Sequence, residues 1–250
     1  MVEKSKKCAL VVGGSTGVGH GVAEALSEQG YEVHILSRSE PVGHEQYHFQ
    51  WHPCDLKNTV ESKKILADIA VNDMDFVCFS AAFYGIRRCG FMATEWPLWQ
   101  EQSAIMIDGL WLTLSAFLPG LIRRRGIFLG ISSEVAFNAG PGRAGYTACK
   151  AAAMGLLGSI AAEIPAEQVI IAQALPEGMV DSPGIRSRRP ADFDYSGYMQ
   201  PEDFKAFICS LVIQRNADLH GQTVMVKRHG NWCLVDDRHS PPSQSIRSAL

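Results

Sequence analysis

Tyr146, Lys150 and Ser133 are the side chains of this sequence best suited, by type and spacing, to move a proton to or from an oxygen. Tyr146 precedes Lys150 by four residues, in Gly-Tyr-Thr-Ala-Cys-Lys, and Ser133 lies thirteen residues before the tyrosine. On a helix, positions i and i+4 share a face one turn apart, so an ammonium can sit beneath a phenol. A phenol titrates near about 10 and is a poor acid at neutral pH. A fixed cation nearby favours phenolate, lowers that value and suits the group to proton transfer. Ser133 can donate a hydroxyl hydrogen bond to an oxygen that gains charge. The three read as a site for reducing a carbonyl or oxidising an alcohol. A Tyr-x-x-x-Lys pair alone also fits a solvated lysine beside a packed aromatic, so the elements that position it must decide.

Those elements begin with the apolar run Cys8–Val12, which ends in Gly13-Gly14-Ser15-Thr16-Gly17-Val18-Gly19. A helical pattern follows through Val22, Ala23 and Leu26, closing at Gly30, and Val33, Ile35 and Leu36 make a second strand. Strand, glycine loop, helix and glycine cap form the first half of a βαβ unit. The glycines let the backbone turn tightly and let a pyrophosphate approach a helix N-terminus, where free N–H groups and the dipole favour anions. Further strands are expected at Tyr47–Trp51 and Phe76–Phe79.

Gly13-x-x-x-Gly17-x-Gly19 together with Ser133, Tyr146 and Lys150 resembles the short-chain dehydrogenase/reductase family, over roughly Lys7 to Asn231. The resemblance implies an α/β fold: one Rossmann-like, doubly wound parallel sheet of about seven strands with helices on both faces. It implies one domain over residues 1–237, a substrate lid near 184–200 and a polar tail at 238–250. The tail reads as a disordered end or an arm on a neighbouring subunit. Cofactor contacts would come from Gly13, Ser15, Thr16, Gly17, Val18 and Gly19 at the pyrophosphate. Lys150 would hold the nicotinamide ribose, with Tyr146 beside it as proton donor. Asp55, followed by Leu56, matches the family acid at the adenine amino group. NAD-specific relatives carry a carboxylate after the second strand; here the chain reads Leu36-Ser37-Arg38, and an arginine's planar fork suits a 2′-phosphate. NADP(H) is therefore the expected cofactor.

Several positions depart from the family's pattern. Ser80-Ala81-Ala82 stands where Asn-Asn-Ala-Gly is usual, and Met106 where an asparagine bends a helix and holds a relay water. Methionine cannot donate to such a water. Pro176-Glu177-Gly178-Met179-Val180-Asp181-Ser182 carries an inserted glutamate in the turn that walls the nicotinamide; Gly178, Val180 and Ser182 then fall on the family's Gly, Val and Thr positions. Glu134 and Glu177 are unplaced acids, read as exposed or as orienting a cationic substrate.

Two variable segments face the pocket in this family. One carries Phe83, Tyr84, Phe91, Met92, Trp96 and Trp99; the other carries Arg186, Arg188, Arg189, Phe193, Tyr195, Tyr198 and Met199. They suit a bulky or aromatic carbonyl compound, as in specialised metabolism, or are ordinary lid packing. The arginines read as solvated, or as meeting a carboxylate, phosphate or acyl carrier. Two other uses of the fold stay open: isomerisation, dehydration or cyclisation, and a non-catalytic nucleotide-binding partner.

A net charge of −3 argues against a general nucleic-acid surface, and no uninterrupted apolar run approaches the length of a membrane span. Seven cysteines without Cys-x-x-Cys, and the polar start Met-Val-Glu-Lys, suit a reducing cytoplasm. His44, His48 and His52 recur every four residues but span an expected strand, so no metal site is expected. The small-residue stretch Ala151–Ala162 suits close packing, within the chain or in a homodimer or homotetramer.

Overall fold

A computed structural model of the chain describes residues 6–85 and 87–235. The expected tail at 238–250, the domain limit at 237 and the first five residues lie outside the described residues. The elements run β1 (Cys8–Val12), α1 (Gly17–Glu28), β2 (Glu32–Ser37), α2 (His44–Tyr47), β3 (Gln50–Pro53), α3 (Thr59–Ile69) and β4 (Phe76–Phe79). Then come α4 (Trp96–Ser103), α5 (Gly109–Arg124), β5 (Ile127–Ile131), α6 (Ala144–Glu163), β6 (Ile170–Pro176), α7 (Pro183–Arg186), α8 (Lys205–Gln214), β7 (Thr223–Val226) and β8 (Trp232–Leu234).

All strands join one sheet in the order β3-β2-β1-β4-β5-β6-β7-β8, parallel except for the antiparallel pair β7 and β8. The short β8 makes eight strands where about seven are expected. Side chains alternate across each strand. Ala9 and Val11 pack into the layer that holds α1 and α8, with Phe204 and Phe207. Leu10 and Val12 face the layer of α3, α5 and α6, with Phe117, Leu121 and Leu157. Helices thus cover both faces, which is why these strands read as continuous apolar runs rather than alternating ones.

The third strand differs from expectation. Tyr47 ends α2, His48 turns with φ +54°, and β3 starts only at Gln50. Tyr47 stacks on Phe49 at 5.2 Å, so the alternation that mimicked a strand is a local aromatic pair packed toward α1. His52 pairs through Nε2 with Nδ1 of His34 on the neighbouring strand, at 2.9 Å.

Trp96–Arg124 forms one long helix that is apolar enough, by length and composition, to cross a membrane. Half of its apolar window is buried in the fold, with Leu110, Leu114, Phe117 and Leu121 in the core. A π-helical turn, Ala104–Asp108, links α4 to α5. Met106 sits in that turn and is buried.

Candidate active site

Parallel strands all deliver their C-terminal ends to one edge, and ligands of such sheets bind where strand order reverses. Here that point lies between β1 and β4, where Val12 pairs with Phe79 and Ser80 N–H donates to the Val12 carbonyl at 2.8 Å. Gly13 turns with φ +83°, and a Cβ there would collide with the Ala81 backbone. Gly17 has φ +63° and faces Ser182, whose Cβ would stand 3.3 Å from an added Cβ. Thr16 caps α1 in extended conformation with no side-chain cap, and the first turn carries no acid. The result is a loop at the α1 N-terminus, formed by Ser15, Thr16 and Gly17, whose first helical N–H groups lie near the Ser182 side chain. A Cβ at Gly19 would meet the Gly13 carbonyl, and Val18 packs on the core, so helix and loop are locked together. That donor set fits the diphosphate of a dinucleotide.

At the far end of the cradle, buried Ser37 donates through Oγ to the Ser39 carbonyl at 2.8 Å, and Arg38 is exposed beside it. Asp55 accepts from Lys57 N–H at 3.1 Å, and Leu56 is buried against Gly109. Lys57 completes this corner and was not singled out from the sequence. Its Nζ lies 3.1 Å from Glu101 and 3.7 Å from Asp55. The hydrogen bond to Glu101 and the charge of Asp55 hold its pKa above the ordinary value, while Arg38 is near enough to work against them. Two cations, Arg38 and Lys57, thus stand near each other beside Asp55. The sequence offered only the nearness of Lys57 to Asp55; its shorter contact, to Glu101, comes from a distant helix and carries no local signal.

Tyr146 stands in the first turn of α6 with Lys150 one turn on, and the lysine Nζ lies 5.9 Å from the phenol ring centroid. Lys150 is buried and donates to the Ile131 carbonyl at the end of β5, at 2.6 Å. Ser133 follows β5 and its hydroxyl lowers the tyrosine's pKa by hydrogen bonding. The sequence led us to expect a depressed phenol pKa. Burial reverses this: desolvation pushes Tyr146 up to about 12 against the help of Ser133, Arg188 and Arg143. The same burial pushes Lys150 down to about 8. Low dielectric penalises both charged forms, and i, i+4 spacing says nothing about it.

Behind Lys150 lies a cavity of about 10 Å³ lined by Met106, Ile131, Ser132, Lys150 and Gln173 among others. The Ser132 hydroxyl is buried without a hydrogen-bond partner among the described residues. Such a space is near the lower limit for one water. Met106 therefore closes this side with an apolar surface, and the polar groups there are Ser132 just past β5, Lys150 on α6 and Gln173 on β6.

The mouth joins parts that the sequence kept separate. Tyr84 lies 5.1 Å from Tyr146, ring to ring, and Gln102 holds the Tyr84 carbonyl at 2.9 Å. The Arg188 guanidinium stacks over the Tyr84 ring at 4.5 Å. The segment after β6 returns to it: Val180 bridges Met199, and Arg186 grips Asp181 through two bonds of 2.7 and 2.6 Å. Phe193, Tyr195 and Tyr198 cluster with one another within 5.0–5.6 Å. Phe91, Met92 and Trp96 are exposed and do not form an enclosed pocket wall. Glu177 and Gly178 are exposed past Pro176, with Glu177 N–H bonded to Val226, and Glu134 pairs with Arg143 at 3.8 Å. Ala82 is exposed beyond β4.

Comparison with known proteins places this architecture in a family. The sequence model of short chain dehydrogenases matches residues 7–192. The chain belongs to that family and is an oxidoreductase of its class. A Staphylococcus aureus 3-oxoacyl-[acyl-carrier-protein] reductase is 24% identical over 89% of this chain and 97% of its own. A Xanthomonas campestris 2-keto-3-deoxy-L-fuconate dehydrogenase is 30% identical over 53% of this chain and 44% of its own. Among solved structures, a 3-oxoacyl reductase from Agrobacterium tumefaciens with NADP bound superposes with TM-score 0.76 at 21% identity, covering 90% and 93% of the two chains.

Proposed function

We propose that this protein is an NADP(H)-dependent reductase of small carbonyl compounds, with Ser133, Tyr146 and Lys150 as its catalytic groups. One observation carries the reading: a half-buried phenol, its serine partner and a buried lysine stand together near a glycine loop whose donors suit a diphosphate. Bound there, the nicotinamide nucleotide supplies the hydride. Ser133 and Tyr146 donate hydrogen bonds to the substrate carbonyl oxygen, and Tyr146 gives it the proton. With a pKa raised to about 12, the phenol stays protonated until the oxygen gains charge. Lys150, anchored on Ile131, positions the ribose and stabilises the phenolate that forms. Gly13, Ser15, Thr16, Gly17, Val18, Gly19 and Ser182 hold the diphosphate. Ser80, Ala81, Ala82, Pro176, Gly178 and Val180 flank the nicotinamide half, and Ser37, Arg38, Asp55 and Leu56, with Lys57, hold the adenosine half.

The neighbours solved with NADP bound support this cofactor, as does the Arg38 and Lys57 pair. The aromatic mouth supports a substrate with a flat or apolar portion. The exposed small-residue face of α6, where a Cβ at Gly155 or Gly158 would meet open space, supports a homodimer or homotetramer. Seven unpaired cysteines support a cytoplasmic setting, and residues 1–237 are proposed as one domain. Titration by nicotinamide fluorescence tests the cofactor. NADPH should bind more tightly than NADH, and Arg38→Ala should remove about tenfold or more of that preference. Equal affinity for the two nucleotides would refute the 2′-phosphate site.

A further inference from the structure

Arg188 is held at the mouth by one short bond, from its Nε to the Gly184 carbonyl at 2.8 Å. Its guanidinium lies 4.5 Å over the Tyr84 ring, and Tyr84 in turn packs 5.1 Å from Tyr146. The guanidinium is near enough to the Tyr146 phenol to favour its ionised form. Of the nearby arginines, Arg186 pairs with Asp181 and Arg143 with Glu134, while Arg189 meets the Tyr198 hydroxyl at 3.4 Å. Among the described residues no carboxylate pairs with Arg188. It is half-buried, and Arg189 and Arg88 add like charge around it. Burial lowers its pKa, against the pull of Tyr84 and Tyr146. A partly desolvated cation without a counter-ion carries a cost that an anionic ligand would relieve.

We infer that Arg188 is the receptor for a carboxylate on the substrate, so that the compound reduced is an oxo acid rather than a neutral ketone. With Nε committed to Gly184, the two terminal nitrogens are left to face a carboxylate end-on, in the forked geometry that arginine favours. Tyr84 forms the floor between the two ends: its ring spans the gap from the reacting phenol to the cation. The carbonyl then sits at Tyr146 and the carboxylate a few bonds away, with the aromatic floor under the atoms between. The inference rests on the reductase reading of Tyr146 for its carbonyl end, but not for its anion end.

The test uses aryl oxo acids with one to three methylenes between carbonyl and carboxylate, such as 4-oxo-4-phenylbutanoate, each beside its primary amide. Binding to the NADP⁺-saturated protein is followed by tryptophan fluorescence, and turnover with NADPH by absorbance. At least one acid should bind about 10–100-fold more tightly than its amide, and Arg188→Gln should abolish most of that discrimination. Arg188→Lys, which keeps the charge but not the fork, should restore it only in part. If acid and amide bind alike across the set, or no acid binds, the inference is overturned even where ketones are reduced. Arg188→Gln that weakens NADPH instead, with the acid-to-amide ratio unchanged, would assign the arginine to the cofactor and overturn it too. Acid binding that depends on Arg188 without any turnover would uphold the anion site and count against the reductase reading.

Discussion

Replacing Lys150 with methionine should make the protein more stable at neutral pH while removing its activity. The lysine's pKa falls from 10.5 to about 8 because it is buried, with Cys149 and Cys78 offering only weak compensation. The folded lysine gives up its proton near 8 and the unfolded one near 10.5. Between those values the unfolded state binds more protons, so stability contributed by this site rises with pH. Below the folded pKa the penalty is fully present, at roughly 3 kcal/mol. By pH 10 it has shrunk to about 1 kcal/mol. Methionine escapes the penalty but leaves the Ile131 carbonyl without its donor, which costs about 1–3 kcal/mol. The variant is therefore expected to be up to about 2 kcal/mol more stable than the wild type at pH 7 and up to about 2 kcal/mol less stable at pH 10. For a chain of this size each kcal/mol moves Tm by about 2–4 °C. Urea melts of both proteins at pH 7, 8.5 and 10 would show the crossover. Burial, the largest cause of the raised pKa values at Cys149 and Tyr146, is common to both proteins and cancels in the comparison to first order. A constant difference across the pH range, or a variant less stable at pH 7, would refute the claim that burial of the charge is what perturbs this lysine.

Gly13→Ala should abolish measurable NADPH binding, because φ is +83° there and the added carbon would strike the Ala81 backbone; fluorescence titration beside a circular dichroism melt separates loss of site from loss of fold. Asp181→Asn should free the segment after β6, seen as faster proteolysis near residues 184–199. The Arg186 guanidinium holds the Asp181 carboxyl below its ordinary range, so the pairing contributes stability above the unfolded pKa, and that contribution fades as pH falls through the lower folded value. Proteolysis of the wild type should accordingly stay slow at pH 5 and quicken only in stronger acid, whereas the variant should be cut quickly at both.

Much of this site was legible in the chain because its logic is local. The glycine loop needs only a strand before it and a helix after it. Tyr146 and Lys150 need only one helical turn, and both lie on α6 one turn apart. What the sequence could not carry was burial. The i, i+4 pair predicts a lowered phenol, yet desolvation from the surrounding layers dominates and raises it. Tyr47, Phe49 and Trp51 alternate like a strand, but a left-handed turn at His48 ends a helix among them. Met106 announced a missing asparagine without revealing that the helix adopts a π turn around it. Tyr84 and Arg188 were each visible as pocket candidates. Their stacking depends on two loops meeting over the sheet edge, and no spacing rule connects them.

The most direct test of the account is the proton-donor assignment of Tyr146. Tyr146→Phe removes one oxygen from a half-buried ring and leaves the glycine cradle untouched. With any carbonyl compound the wild type reduces, single-turnover oxidation of NADPH should slow by at least about 10²–10⁴-fold in the variant, while NADPH affinity stays within about twofold. Turnover within a few-fold of wild type would contradict the central claim, and the proton would have to come from another group.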